Sequence, residues 1–532
     1  MCMSRLEDAK LEALKAAEKR RSAKLAEFNA DPFIGYKTLD DSLADYKLNS
    51  QAEVLARLLN RENIFISGPA GSGKTAIVSR FQELIDAQFH GKFEVALTAS
   101  TGIAATLIGG TTIHSWAGLG IDQDPFDPKK PGGMVASRRS QMASTDVLIL
   151  DEISMLPGYL FEKLDAVLKW ARRNSKPFGG IQLVLIGDFL QLPPVSRPGD
   201  TVNTNFAITT KEWKAAEITC CYMDKSHRAT DKNLQYLLSA IASGKARELP
   251  TAKNLLKARM GGRERMDPEK TYTTLFTTNR NVDSFNQEEL AKNPNPLVIS
   301  TLERYYGSSV DIEKAIKKFG LEKEFGFKVG ATVMMTANVT TETGQFVANG
   351  SIGVVQSVAK GIPRVRFNNG VSMFVEKRSY SELKKVSVRN PVDGTEEFVE
   401  EPVATVKQLP LKLGYAITVH KSQGSTLNGV VCDLSKVFTS GLGYVALSRV
   451  RSLEDLIVTG WNDKAYDLDP MSRRISNYVR KQALKTREDF IARRTEYEGL
   501  LQDSLVRRIC WDEDESAKNK EASRNKKNLR TR

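Results

Sequence analysis

NIFISGPAGSGKT, residues 63–75, decides how the chain is read. Ile64, Phe65 and Ile66 read as an apolar strand, and Ile77, Val78, Phe81, Leu84 and Ile85 recur at the spacing of one helix face. Between them Gly68, Pro69, Ala70, Gly71, Ser72 and Gly73 turn the chain. Glycines without a Cβ let backbone N–H groups close on phosphate oxygens, and the helix start adds the positive end of its dipole. Lys74 then reaches the terminal phosphates, and Thr75 offers a hydroxyl to Mg2+. The alternative is a strand-to-helix turn that binds nothing, but every position of the phosphate-loop pattern is filled. Gly68 through Thr75 are therefore expected to bind a nucleotide, with its use left open.

Downstream, residues 98–120 read TASTGIAATLIGGTTIHSWAGLG, rich in hydroxyls and small residues. Such side chains suit sugar and phosphate contacts and an aromatic can stack on a base, although a Ser/Thr-rich turn before a packed helix fits equally well. Four aliphatics, Val147 to Leu150, then lead into Asp151 and Glu152. At the carboxyl end of a strand following a phosphate loop, Asp151 can hold the magnesium shell while Glu152 orients and deprotonates the attacking water. Residues 183–186, LVLI, lead into GDFLQLPP, where Gln191 could sense the terminal phosphate as a neutral donor. Alternating strands and helices predict an α/β fold with a parallel sheet covered on both faces and the ligand at its carboxyl edge.

The second half repeats this grammar. Ser226-His227-Arg228 sits at a helix start, and buried strands resume at 272–276 before Thr277-Thr278-Asn279-Arg280. Residues 329–406 change to short alternating runs, with hairpin signals at Asn368-Asn369-Gly370 and Asp393-Gly394. LKLGYAITVHKSQGSTL, residues 411–427, places His420, Lys421, Ser422 and Gln423 after an apolar strand, a second cluster suited to phosphate contacts. Arg449 ends YVALSR; alone it reads as a surface charge at a helix end, just as Gln51 alone reads as a surface residue. A last helix is expected over 472–511, packed on the body.

With 532 residues the chain exceeds one hydrophobic core. Hydrophobic content of 41% and charged content of 27% are those of an ordinary globular protein. No apolar run approaches the roughly 20 residues of a membrane span, and the N-terminal stretch lacks a secretory core, so an intracellular location is expected. Five cysteines show no metal-ligand spacing and read as reduced packing residues. Lys plus Arg exceed Asp plus Glu by 77 − 64 = 13, which favours a polyanionic partner. Part of that excess lies in a basic tail, 518–532, for which simple solvation is the other reading.

Taken together, TASTGIAATLIGGTTIHSWAG, DEISMLPGYLFEKLDAVL, KPFGGIQLVLIGDFLQLPPV, FVANGSIGVV, YAITVHKSQGSTL and YVALSRVRS resemble the Pif-type (petite integration frequency) family of superfamily 1 DNA helicases over roughly 48–460. A RecD-like or Dda-like helicase would share the ATP site but not PFGGIQ and LFEKL. The resemblance implies two RecA-like domains, 31–225 and 226–338 with 405–470. It also implies a β-hairpin wedge insertion at about 121–142 and a small β-barrel insertion at 339–404. An N-terminal helical extension, 1–30, and a C-terminal helix and basic tail, 471–532, fall outside it. By the same resemblance Gln51 recognises adenine, Lys74, Thr75, Asp151, Glu152 and Gln191 form the first half of the ATP·Mg2+ site, and Arg228 and Arg449 reach the γ-phosphate. Ser100, Thr101, Thr112 and His114 would grip single-stranded DNA from the first domain. Thr278, Asn279, Thr418, His420, Lys421 and Ser422 would grip it from the second.

The implied activity is 5′-to-3′ translocation and unwinding of tailed or forked duplexes by a monomer, with replication or single-strand-binding proteins as partners of the terminal extensions. The sequence departs from the family pattern at Ala229 and Leu442, where Gln is common. A translocase that remodels protein–DNA complexes without useful unwinding stays open as the alternative. A nucleic-acid-binding protein with a dead phosphate loop is a third.

Overall fold

The computed structural model describes residues 50–89, 93–120, 124–128, 136–194, 206–223, 231–267, 270–340, 345–347, 349–389 and 396–493. The N-terminal extension, the basic tail and Arg228 lie outside these residues, as does the side chain of Gln51.

Six strands form the first sheet: β1 Ile64–Ser67, β2 Val95–Ala99, β3 Thr111–Thr112, β4 Val147–Asp151, β5 Gln182–Ile186 and β6 Thr219–Tyr222. They run parallel in the order β3-β2-β4-β5-β1-β6. Every residue of β4 and β5 is buried, which is why these strands are continuous aliphatic runs and not alternating ones. One face is covered by Val54, Leu58, Ile77, Phe81 and Leu84 from the helices Ser50–Leu59 and Lys74–Phe89. Leu160, Phe161, Leu164 and Leu168 of the helix Gly158–Arg172 cover the other. Because neighbouring strands are parallel, the loops leaving β1, β2, β4 and β5 all emerge at one edge.

A second parallel sheet takes the order Ala416–Thr418, Tyr272–Phe276, Gly429–Leu434, Leu456–Trp461. Asn286 locks its first strand to the helix Asn279–Lys292, accepting from Ala416 N at 2.8 Å and donating to Ala416 O at 3.2 Å.

The antiparallel insertion is wider than the 339–404 expected. Ser372–Phe374, Ile362–Phe367, Ile352–Ala359, Thr332–Met335 and Leu411–Leu413 make one five-stranded sheet. A ribbon, Arg378–Arg389 with Glu396–Gln408, carries Glu303–Gly307 on its edge. The reason is packing: Phe325, Phe327, Val333, Leu411 and Leu413 share one apolar core with Val355, Val365 and Phe367. Turn signals mark loops, but they do not mark which strands share a core. The hairpin at Asn368 to Gly370 is where it was expected, with Gly370 at φ +89°.

Of the expected wedge, 121–123 and 129–135 lie outside the described residues. Among its described residues there is no strand; a helix, Ala136–Ser144, lies against the strand Glu396–Gln408, and Phe126 packs edge-on to Trp170 with centroids 5.6 Å apart. The last described helix, Pro470–Ala492, starts beside the second domain and returns to the first. Its Ile475, Val479 and Ala483 join the core of Phe161 and Trp213. Arg487 Nε donates to Glu53 at 3.3 Å, and Arg57 Nη2 donates to Thr486 O at 2.7 Å.

Candidate active site

A cavity of about 400 Å³ opens where the strand ends of the two sheets face one another. The first domain lines it with Ala70 through Ala76, Asp151, Glu152 and Gln191, and the second with Gly424, Thr426 and Arg449.

The phosphate loop holds a backbone path that glycine permits. Gly71 and Gly73 have φ of +77° and +87°, and a Cβ on Gly68 would stand 2.3 Å from Met223 O beyond the end of β6. Lys74 Nζ donates to the carbonyls of Gly68 and Pro69 at 2.8 and 3.0 Å, which holds the ammonium in the loop. Asp151 Oδ1 accepts from Glu152 N at 2.7 Å. Burial, and then the neighbouring Glu152 charge, push the Asp151 carboxyl above its usual range, opposed by Lys74 and the Thr75 hydroxyl. Burial likewise raises Glu152, opposed by Gln423, Lys74 and Arg449. Two buried carboxyls beside a lysine and a hydroxyl form an oxygen-rich, charge-deficient site, which suits a divalent cation held by Thr75 and Asp151.

Glu152 leaves β4 in the left-handed region, φ +53° and ψ +44°, which swings its side chain toward the second domain. Ser100 Oγ holds that turn by donating to Glu152 O at 2.7 Å. Gln423 Nε2, from the second domain, donates to Glu152 Oε2 at 2.9 Å. Gln191 Nε2 donates to Asp188 Oδ2 at 3.3 Å, while its buried Oε1 has no donor among the described residues. Arg449 is 0% exposed, so it is not a surface charge. Its Nε donates to Val445 O at 2.8 Å, Nη1 to Ser422 O at 3.1 Å and Nη2 to Ser448 Oγ at 2.7 Å. Gly441 seals the contact, because a Cβ there would lie 2.6 Å from Gln191 O.

The structure therefore brings Lys74, Thr75, Asp151, Glu152, Gln191 and Arg449 to one cavity. The residues expected on DNA are more scattered in role. Ser100 is bonded to Glu152, Thr101 Oγ1 accepts from Ala104 N at 3.2 Å, and Thr112 caps the helix Ile113–Ala117, where His114 is half-buried. Thr278 precedes the exposed Asn279 at the start of their helix. Thr418 and Ser422 are buried, and their hydroxyls bond within the chain, to Lys421 N at 3.3 Å and Val419 O at 2.8 Å. Lys421 stays exposed, and His420 stacks on Phe438, which is 63% exposed. Asp188 and Phe438 carry no role in the sequence reading, and Gln423 enters it only as one of a cluster suited to phosphate contacts. Gln423 was visible within KSQG, but nothing in its local pattern says that it crosses to Glu152.

The family model described as PIF1-like helicase matches residues 48–242. An ATP-dependent DNA helicase Pif1 of Psychrobacter sp. (strain PRwf-1) is 33% identical over 483 residues, covering 83% of this chain and 72% of that protein. The chain belongs to the Pif1 helicase family. Its fold is also similar to two solved members. The Pif1 helicase of Candida albicans matches at TM-score 0.68 and 29% identity, over 81% of this chain and 99% of that one. The Bacteroides Pif1 helicase, crystallised with ADP-AlF3 and ssDNA, matches at 0.63 and 26%, over 82% and 97%. The two parallel sheets are the two RecA-like domains of a Pif1 helicase.

Proposed function

We infer that this Pif1-family chain is an ATP-dependent DNA helicase, which hydrolyses ATP between its two RecA-like domains and uses the resulting motion to travel on single-stranded DNA. One observation carries the reading: Asp151 and Glu152 of the first sheet share a cavity with Arg449 of the second, and Gln423 of the second is bonded to Glu152.

The loop N–H groups and Lys74 bind the phosphates, while Thr75 and Asp151 would hold Mg2+. Bound there, Mg2+ neutralises phosphate charge. Glu152 takes the proton of the attacking water, and Gln191 stands at the terminal phosphate. Arg449 stabilises charge on the transferring group only when the domains are together, which ties hydrolysis to closure. We extend the reading to Gln51 at adenine and to Arg228 as a second arginine. The proposal also includes 5′-to-3′ travel, a monomer acting inside the cell on tailed or forked duplexes, and terminal extensions that dock replication or single-strand-binding proteins. The DNA grip is assigned to backbone contacts around Ser100 to His114 and around Thr278, Asn279, His420 and Lys421, which makes binding weakly sequence-dependent and salt-sensitive.

The test is ATP turnover with and without single-stranded DNA, alongside strand release from forked duplexes carrying a 5′ or a 3′ tail. Release from the 5′-tailed fork alone is expected. DNA-stimulated ATPase without release from either fork would favour the translocase that remodels protein–DNA complexes.

A further inference from the structure

A side-chain hydrogen bond joins the second domain to the general base: Gln423 Nε2 to Glu152 Oε2, 2.9 Å, with both residues buried. We propose that Gln423 is a positioning residue, through which the DNA-facing segment of the second domain aims Glu152 at the attacking water. This rests on the helicase reading above.

The surroundings of this bond support it. An amide donor fixes a carboxylate without handing it a proton, so Glu152 remains able to act as a base. The neighbouring Gly424 stands at φ +80°, where a Cβ would lie 3.0 Å from Leu107 Cδ1 and 3.9 Å from Glu152 Oε1; the segment is thus seated directly on the base. Finally, Gln423 belongs to a tight turn. Its N–H donates to His420 O at 3.3 Å, and Ser422 O accepts from Arg449 Nη1 at 3.1 Å. A displacement of His420 and Lys421 is therefore transmitted to Gln423 and Arg449 together. Gln423 Oε1 has no donor among the described residues, so the amide is oriented for Glu152 and not for the packing around it.

The experiment uses the full chain with Gln423→Met, which keeps the volume and removes the donor, and Gln423→Glu, which keeps the shape should the first variant not fold. Steady-state turnover is measured with and without a single-stranded oligonucleotide, together with oligonucleotide affinity and melting temperature. Loss of one hydrogen bond to an ionised group predicts a fall of about 10- to 100-fold in DNA-stimulated kcat. KM for ATP, DNA affinity and melting temperature are expected to hold within about twofold or a few degrees, and DNA-free turnover to fall far less. The ratio of stimulated to unstimulated rate therefore collapses. The proposal is overturned if stimulated kcat survives, or if both rates and KM decline in the same proportion, which marks a merely structural role. Absence of DNA stimulation in the unmodified chain would instead defeat the helicase reading itself.

Discussion

On one wall of the cleft, Asp151 and Glu152 end a strand of five buried residues paired on both sides. On the other, Gln423 and Arg449 follow a three-residue strand and a six-residue helix. The first wall is assembled by strand register before any nucleotide arrives. The second depends on where a whole domain sits. One half of the site thus belongs to the fold and the other to the placement of the domains, and it is this asymmetry that the proposed coupling of hydrolysis to DNA would use.

Substitutions on the two walls should separate in kind. On the first wall, Lys74→Ala removes the phosphate cation and should abolish turnover, by at least about 10³-fold, while DNA binding without nucleotide persists. On the second, Arg449→Lys retains a cation but not the guanidinium fork that grips Val445, Ser422 and Ser448. A fall in kcat of about 10²- to 10³-fold with little change in KM is expected from the arginine's role in phosphoryl transfer. An unchanged kcat would remove Arg449 from the site.

Gly441→Val places a side chain against Gln191 O at a residue with φ +88°. It should prop the walls apart and lower DNA-stimulated kcat about tenfold or more without replacing a catalytic residue. Normal kinetics would mean that closure does not bring these surfaces together. Away from the cleft, Glu53→Ala removes the carboxylate shared by Arg57 and Arg487 beneath the returning helix. Breaking such a buried pair should destabilise the chain by about 3 kcal/mol in denaturant unfolding, with kcat preserved. The smallest effect is expected from deletion after Ala517, which should flatten the salt dependence of DNA binding.

The asymmetry also explains what could be read from the sequence. Phosphate-loop spacing, four aliphatics before Asp151-Glu152 and the strand before Gln191 are local patterns, so the first wall was legible residue by residue. Arg449 was reached through resemblance, since locally it reads as a surface charge, yet it is buried. Gln423 reads locally as one of a cluster suited to phosphate contacts, and its bond to Glu152 escaped notice because that partner is 271 positions away. Ser422 and Thr418 are expected on DNA by resemblance to the family, and their hydroxyls bond within the turn that shapes KSQG. The antiparallel insertion was recognisable by texture, whereas its limits follow from a shared core that no turn signal encodes. At 121–142 the prolines and glycines suggested a broken segment, and the helix Ala136–Ser144 begins just beyond them.

The central claim is that hydrolysis requires the second wall to be held against the first, and that DNA favours that placement. The most direct measurement is steady-state ATP turnover of the full chain at saturating ATP, with and without a single-stranded oligonucleotide. A split site predicts that DNA raises kcat by about 10-fold or more, since the arginine alone is worth orders of magnitude in rate. Equal rates in the two conditions would contradict it.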